Sequence, residues 1–600
     1  MNSKTFAYAN NDVALIQWRY EKKIKDCLGF NIIRENITDK TSAPLPAWVG
    51  FEGGQNKNWE KKDTSIWPIQ KYNWKDYTAE RDKSYKYKII PMIGTPGELK
   101  PVADPSLILE TNEISVSEGK GNIKAFFNRG ILSTQALSHK LEKSSKGGPS
   151  LASLKKQIEI PGNKIREDLT GELKDAVISL VKKAKAEGGK CYLALYELTD
   201  KELTDNLVAS KEHIELILTN ADTSKKVKGK DGKSHTKKII DGTNKKTRDR
   251  LKKENVKMYK RFVPGGHIGH NKFVVYVNQG GVPETVLTGS TNWTANGLCA
   301  QSNNTIIIDS KDVASKYMDF WNRLLDDTRN NKSKQGKDLR TSDNKEYIIK
   351  INGYDGCCWF SPNTQKSTKP KSKPGVNIDK DPNTPSDMKE IFDLMDSAKK
   401  SILFLAFQPG TPSILDKALQ IQKKNNSIFI RGAATDANAI NNYNTQLFHG
   451  DSLKPDLYNV AAASNIKDQF SYWEKELLSA GHAIIHDKIV VIDAFTDNCK
   501  VITGSHNLGY KASYTNDENI CIIEGDKDLA SAYAAHVMDI YEHYRWRYTL
   551  SLRGKDNKGN FKAFNGLSTT DAWQDKYFKS EMKKGIVPVE KQRVDLTYWN

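Results

Sequence analysis

Two distant stretches of the chain repeat one pattern, and this repetition constrains the fold more than any other feature. Residues 265–309 read GGHIGHNKFVVYVNQGGVPETVLTGSTNWTANGLCAQSNNTIIID, and residues 481–525 read GHAIIHDKIVVIDAFTDNCKVITGSHNLGYKASYTNDENICIIEG. Each carries His-x-Lys, a β-branched run, Gly-Ser-x-Asn, a polar loop and a second apolar run. Lys to Gly is 17 positions in the first stretch (272 to 289) and 16 in the second (488 to 504). Eleven residues beyond each motif Asn a polar residue opens the next apolar run: Asn303 in one copy, Glu518 in the other. Self-similarity on this scale means that one structural unit occurs twice.

The correspondence extends outward. IKAFFNRG from Ile123 and CCWFSPN from Cys357 read as opening strands. Helical patterns follow, LTGELKDAVISLVKKAKAE in one copy and SDMKEIFDLMDSAKKS in the other, each leading into an apolar strand, CYLALYEL or ILFLAFQP. A further strand comes next, IELILTN or SIFIRGA, and each copy closes with an amphipathic helix, VASKYMDFWNRLLDD or LASAYAAHVMDIYEHYRWR. Strands alternating with helices predict an α/β layer with a mostly parallel sheet in each half.

The halves are expected over 120–327 and 350–550, joined by a linker at 328–349 and followed by a C-terminal extension at 551–600. Residues 328–348 and 364–385 are rich in Lys, Asn, Ser and Pro; the first reads as linker, the second as a long loop inside the second half. Residues 1–115 fit neither half. They alternate short apolar strands with turn signals, as in VALIQWRY, CLGFNIIRE and SYKYKIIPMIG. A Trp in an early strand and a Tyr-x-Tyr strand near the end resemble a fibronectin type III-like β-sandwich, which implies a separate N-terminal module for binding or spacing.

A chain of 600 residues and 67.6 kDa is expected to hold more than one domain. No apolar run approaches the roughly 20 residues needed to cross a bilayer. The first residues lack a basic stretch followed by an apolar core, so no signal peptide is expected. The seven cysteines form neither a disulfide framework nor paired CxxC motifs, and a reducing cytoplasm is the plain reading, with export by a specialised machine left open. The formal charge of +19 favours a polyanionic partner, either nucleic acid or an acidic membrane surface. Between Ser224 and Lys260 stand fifteen basic and four acidic residues, a net of +11, so more than half of the excess sits in one segment.

The pattern His-x-Lys-x4-Asp followed by Gly-Ser-x-Asn resembles the signature of the phospholipase D superfamily. The second half matches with His486, Lys488, Asp493, Gly504, Ser505 and Asn507. The first matches with His270, Lys272, Gly289, Ser290 and Asn292 but has Val277 where the Asp belongs. In a strand, residues two apart point to one face, so His and Lys of each motif project together. The resemblance implies a duplicated phospholipase D-like fold whose pseudo-twofold axis brings both motifs around one point. It implies that one His attacks phosphorus to give a covalent phosphohistidine, while the other protonates the leaving oxygen and later activates water. The two Lys and two Asn would surround the non-bridging oxygens. Four such donors need no divalent cation, so neither metal nor cofactor is expected.

The roles of the two His remain open in the sequence. A nearby carboxylate stabilises imidazolium and suits a general acid. If Asp493 and Glu518 serve their own half, His486 is the acid and His270 the nucleophile, and the family resemblance also favours the N-terminal His as nucleophile. If Glu518 reaches across the axis, it orients His270 instead. Ser290, Ser505 and Asn303 are expected in support. His267 and His482 precede the motif His residues; a substrate or packing role outweighs a metal cluster. Trp293 either walls the pocket or packs beneath the loop, and the aromatic residues of EHYRWRYTL read as core.

Three functions share these residues: a nuclease on DNA or RNA, a phospholipase or phosphatidyl transferase on anionic lipid, and a catalytically reduced polyanion-binding module. The basic segment, with Lys225, Lys226, Lys228, Lys237 and Lys238, lies just ahead of His270 and favours nucleic acid. No apolar run near either motif suggests an acyl channel. No partner protein is evident, and one chain holds both motifs, so the site needs no oligomer.

Overall fold

The computed structural model describes residues 4–53, 56, 60–131, 151–220, 223–228, 234–239, 241–263, 265–331, 335–371, 377–425, 427–435, 460–462, 484–551 and 566–578. Of these, the side chains of 151, 223–228, 234–239, 460–462, 546–551 and 576 are not described.

The first half forms seven strands in chain order: β1 Ile123–Phe127, β2 Lys190–Leu195, β3 Ile214–Asn220, β4 Met258–Phe262, β5 Lys272–Val277, β6 Pro283–Gly289 and β7 Asn304–Asp309. The second half repeats them as β8 Tyr354–Ser361, β9 Ser401–Ala406, β10 Phe429–Ala434, β11 Val460–Ala462, β12 Ile489–Ile492, β13 Lys500–Gly504 and β14 Glu518–Glu524. The sheet order is β1-β7-β6-β5-β2-β3-β4 in one half and β8-β14-β13-β12-β9-β10-β11 in the other, with Tyr347–Ile351 added outside β8. The halves thus agree strand for strand, and the fold is a duplicated α/β unit.

The sheets are mixed rather than mostly parallel, which corrects the expectation from sequence. In each half only β2-β3-β4, or β9-β10-β11, pair in parallel. The remaining neighbours are antiparallel. The reason is connection length. The Lys-bearing strand turns back through a short polar loop into the strand ending in Gly, and a short hairpin can join only antiparallel strands.

Val- and Ile-rich strands such as KFVVYV and IVVI are buried on both faces because helices cover the sheets. Helix α1 (Leu173–Glu187) and helix α3 (Ser386–Asp396) pack on the outer faces. Between the sheets lie α2 (Lys311–Asn330), capped by Ser310 accepting from the Val313 N–H, and α4 (Lys527–Ser551). They share one core that joins the halves, with Phe273, Tyr317 and Phe320 of one packed near Phe360, Val491 and Tyr533 of the other.

The linker is built into the fold. Helix α2 runs into it, Lys337–Ser342 forms a further helical turn, and Arg340 donates to the Tyr514 carbonyl at 2.8 Å.

The N-terminal residues form a separate β-rich layer of two main antiparallel sheets and a short pairing of Pro46–Ala47 with Lys62–Asp63. One joins Lys4–Ala9, Ala14–Arg19 and Asn73–Asp76; the other is built on Cys27–Asn36 paired with Lys83–Thr95. Trp18, Tyr85 and Tyr87, singled out in the sequence, are all buried in its core. The layer rests on α4 through Lys75 and Tyr77, both 2.6 Å from the Asp539 carboxylate. Part of the C-terminal extension completes this core: Trp573 packs against Phe30 and Tyr72 and donates to the Cys27 carbonyl at 2.9 Å. No helix among the described residues is long and apolar enough to cross a membrane.

Candidate active site

Each Lys-bearing strand begins where the halves meet. The His270 N–H donates to the Asp517 carbonyl at 2.8 Å, and the His486 N–H donates to the Ser302 carbonyl at 3.1 Å. Short parallel pairings, Gln301–Ser302 with Ile484–Ile485 and Gly269 with Asp517, repeat the same junction on both sides of the axis. The imidazoles of His270 and His486 therefore face one another with ring centroids 6.3 Å apart and planes at 65°.

The glycine of each Gly-Ser-x-Asn lets its strand lie close against the next one. Gly289 and Gly504 have φ of 147° and 142°, and a Cβ on either would stand 2.3 Å from the carbonyl oxygen of Asn304 or Asn519. Those two Asn tie the halves together. The Asn304 amide donates to the Thr503 hydroxyl at 2.8 Å, and the Asn519 amide oxygen accepts from Thr288 at 2.7 Å.

The orienting groups cross the axis. His270 Nδ1 lies 3.1 Å from Glu518 Oε1 and 3.1 Å from the Ser505 carbonyl. His486 Nδ1 donates to Asn303 Oδ1 at 2.9 Å. With Nδ1 engaged in both rings, Nε2 of each is left for the cavity between them. The alternative in which each acid serves its own half is thus corrected, because the loop after Gly-Ser-x-Asn leads into the strand at the junction with the opposite motif. Asp493 is not part of this cluster. Its carboxylate accepts from the backbone N–H groups of Lys399, Lys400 and Ser401 and fixes the start of β9. Val277, its counterpart, is buried in the shared core.

Ser290 donates to Asn303 Oδ1 at 2.9 Å, and Ser505 accepts from the Asn519 N–H at 3.0 Å, so both hydroxyls brace the orienting loops. Lys272 donates to the His270 carbonyl at 2.6 Å, and Lys488 donates to the His486 carbonyl. Lys272 lies 5.1 Å from the ring of Tyr196 and Lys488 5.1 Å from that of Phe407. Asn292 and Asn507 line the cavity. Asn292 donates to Glu197 Oε2 at 2.8 Å, and the Asn507 N–H donates to Glu518 Oε2 at 2.9 Å. The cavity encloses roughly 350 Å3 and is lined also by Gln301, Gln408, Lys511 and Asn516.

Burial dominates the electrostatics. It lowers His270, helped by Lys272 and opposed by Glu518, to about 4. It also lowers His486 well below its usual range, with Lys488, Lys272 and His270 acting in the same direction. Both imidazoles are therefore neutral near pH 7 in the empty site. Burial also depresses both lysines, Lys272 well below its usual range and Lys488 to about 7. Glu518 is pushed up by burial, yet His270, His506 and Asn516 outweigh this and hold it at about 2.

The other residues singled out in the sequence lie elsewhere. His267 pairs with Gln335 Oε1 at 2.8 Å, and Gln335 in turn donates to Asp517, which Arg261 also clamps. His482 falls outside the described residues. No group of three His, Cys, Asp or Glu among the described residues could hold a metal ion. Trp293 packs beneath its loop in the first-half core. In EHYRWRYTL, Tyr544 is core; Arg545 pairs with Glu542, and from Trp546 on the side chains are not described. Lys225 and Lys226 pair through their backbones with Lys237 and Thr236, and Ser224 with Lys238, in a hairpin that ends at Lys228; the lysine side chains lie outside what is described.

Tyr196, Glu197, Phe407 and Gln408 escaped the sequence reading. The signal was present, since Tyr196-Glu197 and Phe407-Gln408 stand at the same position after β2 and β9.

The family model described as cardiolipin synthase, PLD-like domain, matches residues 177–325 and 391–541, one match in each half. No curated protein matches the sequence. Among solved structures, the chain is similar to phosphatidylserine synthase of Haemophilus influenzae Rd KW20, at 14% identity and TM-score 0.38, over 72% of this chain and 91% of that one. It is similar to Nuc of Salmonella typhimurium, a phospholipase D family member, at 17% identity and TM-score 0.20, over 26% and 86%. It is also similar to a variant of yeast tyrosyl-DNA phosphodiesterase 1, at 13% identity and TM-score 0.31, over 58% and 86%.

Proposed function

We propose, from the premise that the chain belongs to the PLD-like domain family matched in both halves, that it hydrolyses phosphodiester bonds through a covalent phosphohistidine. The observation that carries this reading is the facing pair His270 and His486, each with Nδ1 engaged and Nε2 left for one cavity. The halves expected at 120–327 and 350–550 are the two arms of that site. The N-terminal layer is read as a fibronectin type III-like module for binding or spacing.

The lone pair of His270 Nε2 attacks phosphorus, and the bond from phosphorus to the leaving oxygen breaks. Charge builds on the His270 ring as the N–P bond forms, and the Glu518 carboxylate at Nδ1 stabilises it. Once the substrate's negative charge enters the site, His486 is doubly protonated; it gives the Nε2 proton to the leaving oxygen and returns to the neutral ring with its proton on Nδ1. Water then attacks phosphorus while His486 takes a proton from it, and the N–P bond breaks to restore neutral His270. Lys272, Lys488, Asn292 and Asn507 hold the charge of the non-bridging oxygens, so no divalent ion is required.

The preferred substrate is nucleic acid. The basic hairpin with Lys225, Lys226, Lys228, Lys237 and Lys238 stands in the chain between β3 and Asn244. Asn244, five residues beyond the hairpin's second strand, donates to the carbonyl of the cavity residue Tyr196 at 2.8 Å. Purified protein incubated in EDTA with labelled single- and double-stranded DNA and RNA, and with mixed phospholipid vesicles, tests this. Cleavage of nucleic acid alone supports the reading. Hydrolysis of lipid alone replaces the substrate, and binding without turnover leaves a polyanion-binding module.

A further inference from the structure

We propose that Glu197 is a charge filter, admitting a phosphodiester with one negative charge and rejecting a phosphate group that carries two. The inference rests on the reading above and deepens it by naming what sets the charge of the accepted group.

The two halves present matched pairs to the cavity: His270 with His486, Asn292 with Asn507, Tyr196 with Phe407. The next pair breaks the match in charge, because Glu197 lines the first-half wall and Gln408 the second. One Glu197 oxygen accepts from Asn292 at 2.8 Å, which aims the carboxylate at the group that handles non-bridging oxygens. Lys511, exposed at the cavity wall, is the one further cation among the described lining residues, so the site meets one negative charge and not a second. Lys272 and Lys488 face three carboxylates between them, Glu518, Glu197 and Asp487, while burial holds both lysines below their usual range.

A diester therefore brings the one charge that Lys511 can meet. A phosphomonoester brings nearly two at neutral pH, and in a buried site the second is poorly screened from Glu197. Hydrolysis itself turns a diester into a monoester. The same carboxylate that excludes dianions from the empty site thus favours departure of the product.

Calorimetric titration at pH 8 with inorganic phosphate and with dimethyl phosphate compares the two charges directly. Glu197→Gln keeps an oxygen for Asn292 and removes the charge. It is expected to raise the affinity for phosphate relative to dimethyl phosphate by about tenfold or more. Gln408→Glu, at an exposed side chain, is expected to lower the same ratio, and it carries the test if the first variant does not fold. Ratios within about twofold of wild type in the folded variants would overturn the filter. Hydrolysis of bis(p-nitrophenyl) phosphate by the wild type is read separately. If it occurs while the ratios stay unchanged, the filter alone fails; if it is absent, the phosphodiesterase reading fails.

Discussion

Glu518 of the second half stands 3.1 Å from Nδ1 of His270 in the first, whereas the corresponding contact of His486 is to the neutral amide of Asn303. Two imidazoles that duplication would have made equivalent are thereby made unequal. The carboxylate stabilises positive charge on one ring only, as N-phosphorylation demands, and the amide leaves the other a readier proton donor.

Glu518→Gln retains a hydrogen-bond acceptor and removes the charge. It is expected to lower kcat by roughly 10²-fold or more, because the charged His270 ring of the intermediate loses its counterion. Circular dichroism should show an intact fold. A variant with wild-type kcat would remove Glu518 from the mechanism.

The pH profile follows from the depressed imidazoles. His270 must be neutral to attack, so kcat/KM is expected to fall on the acid side as pH drops through about 4. His486 must carry a proton, and its proton affinity is lowered by burial and the neighbouring cations, so kcat/KM is expected to decline as pH rises. Asn303→Asp places a carboxylate at His486 and should move the descending limb up by about one pH unit or more. A wild-type optimum above pH 8, or a limb that does not move, contradicts the assignment.

The basic hairpin makes a separate prediction. Cleavage and binding of nucleic acid should weaken with salt by roughly 0.7 to 0.9 log units per log unit of salt for each phosphate contacted. Neutralising Lys225, Lys226, Lys228, Lys237 and Lys238 together should flatten that slope and slow polymer cleavage. Hydrolysis of a small diester should stay nearly unchanged. Parallel losses on both substrates would make the hairpin a support of the fold.

The duplication, the succession of strands and helices along each half and the paired motif positions His270, Lys272, Asn292, His486, Lys488 and Asn507 were legible because local periodicity and exact spacing encode them. Sheet direction was not. Alternating strands and helices suggested parallel crossovers, while the short loops at 278–282 and 493–499 impose hairpins. Which half supplies each orienting group was equally invisible, since it depends on how two sheets meet and not on the sequence of either. Asp493 misled because a carboxylate near a His motif reads as chemistry. Its positive φ of 49° and three backbone partners show a turn cap. Glu197 was missed because a lone Glu after a strand carries no pattern until its counterpart Gln408 is aligned with it.

The central claim is that His270 forms the covalent bond and His486 moves the proton. Mass spectrometry under alkaline quench, which preserves phosphohistidine, tests it with a p-nitrophenyl diester whose leaving group needs little protonation. His486→Ala should accumulate phosphoryl adduct on the peptide containing His270, because both leaving-group protonation and water activation are impaired and the second step is the slower. His270→Ala should show none. Adduct on His486 in the His270→Ala protein would exchange the two roles, and turnover with no adduct on either residue would contradict the account.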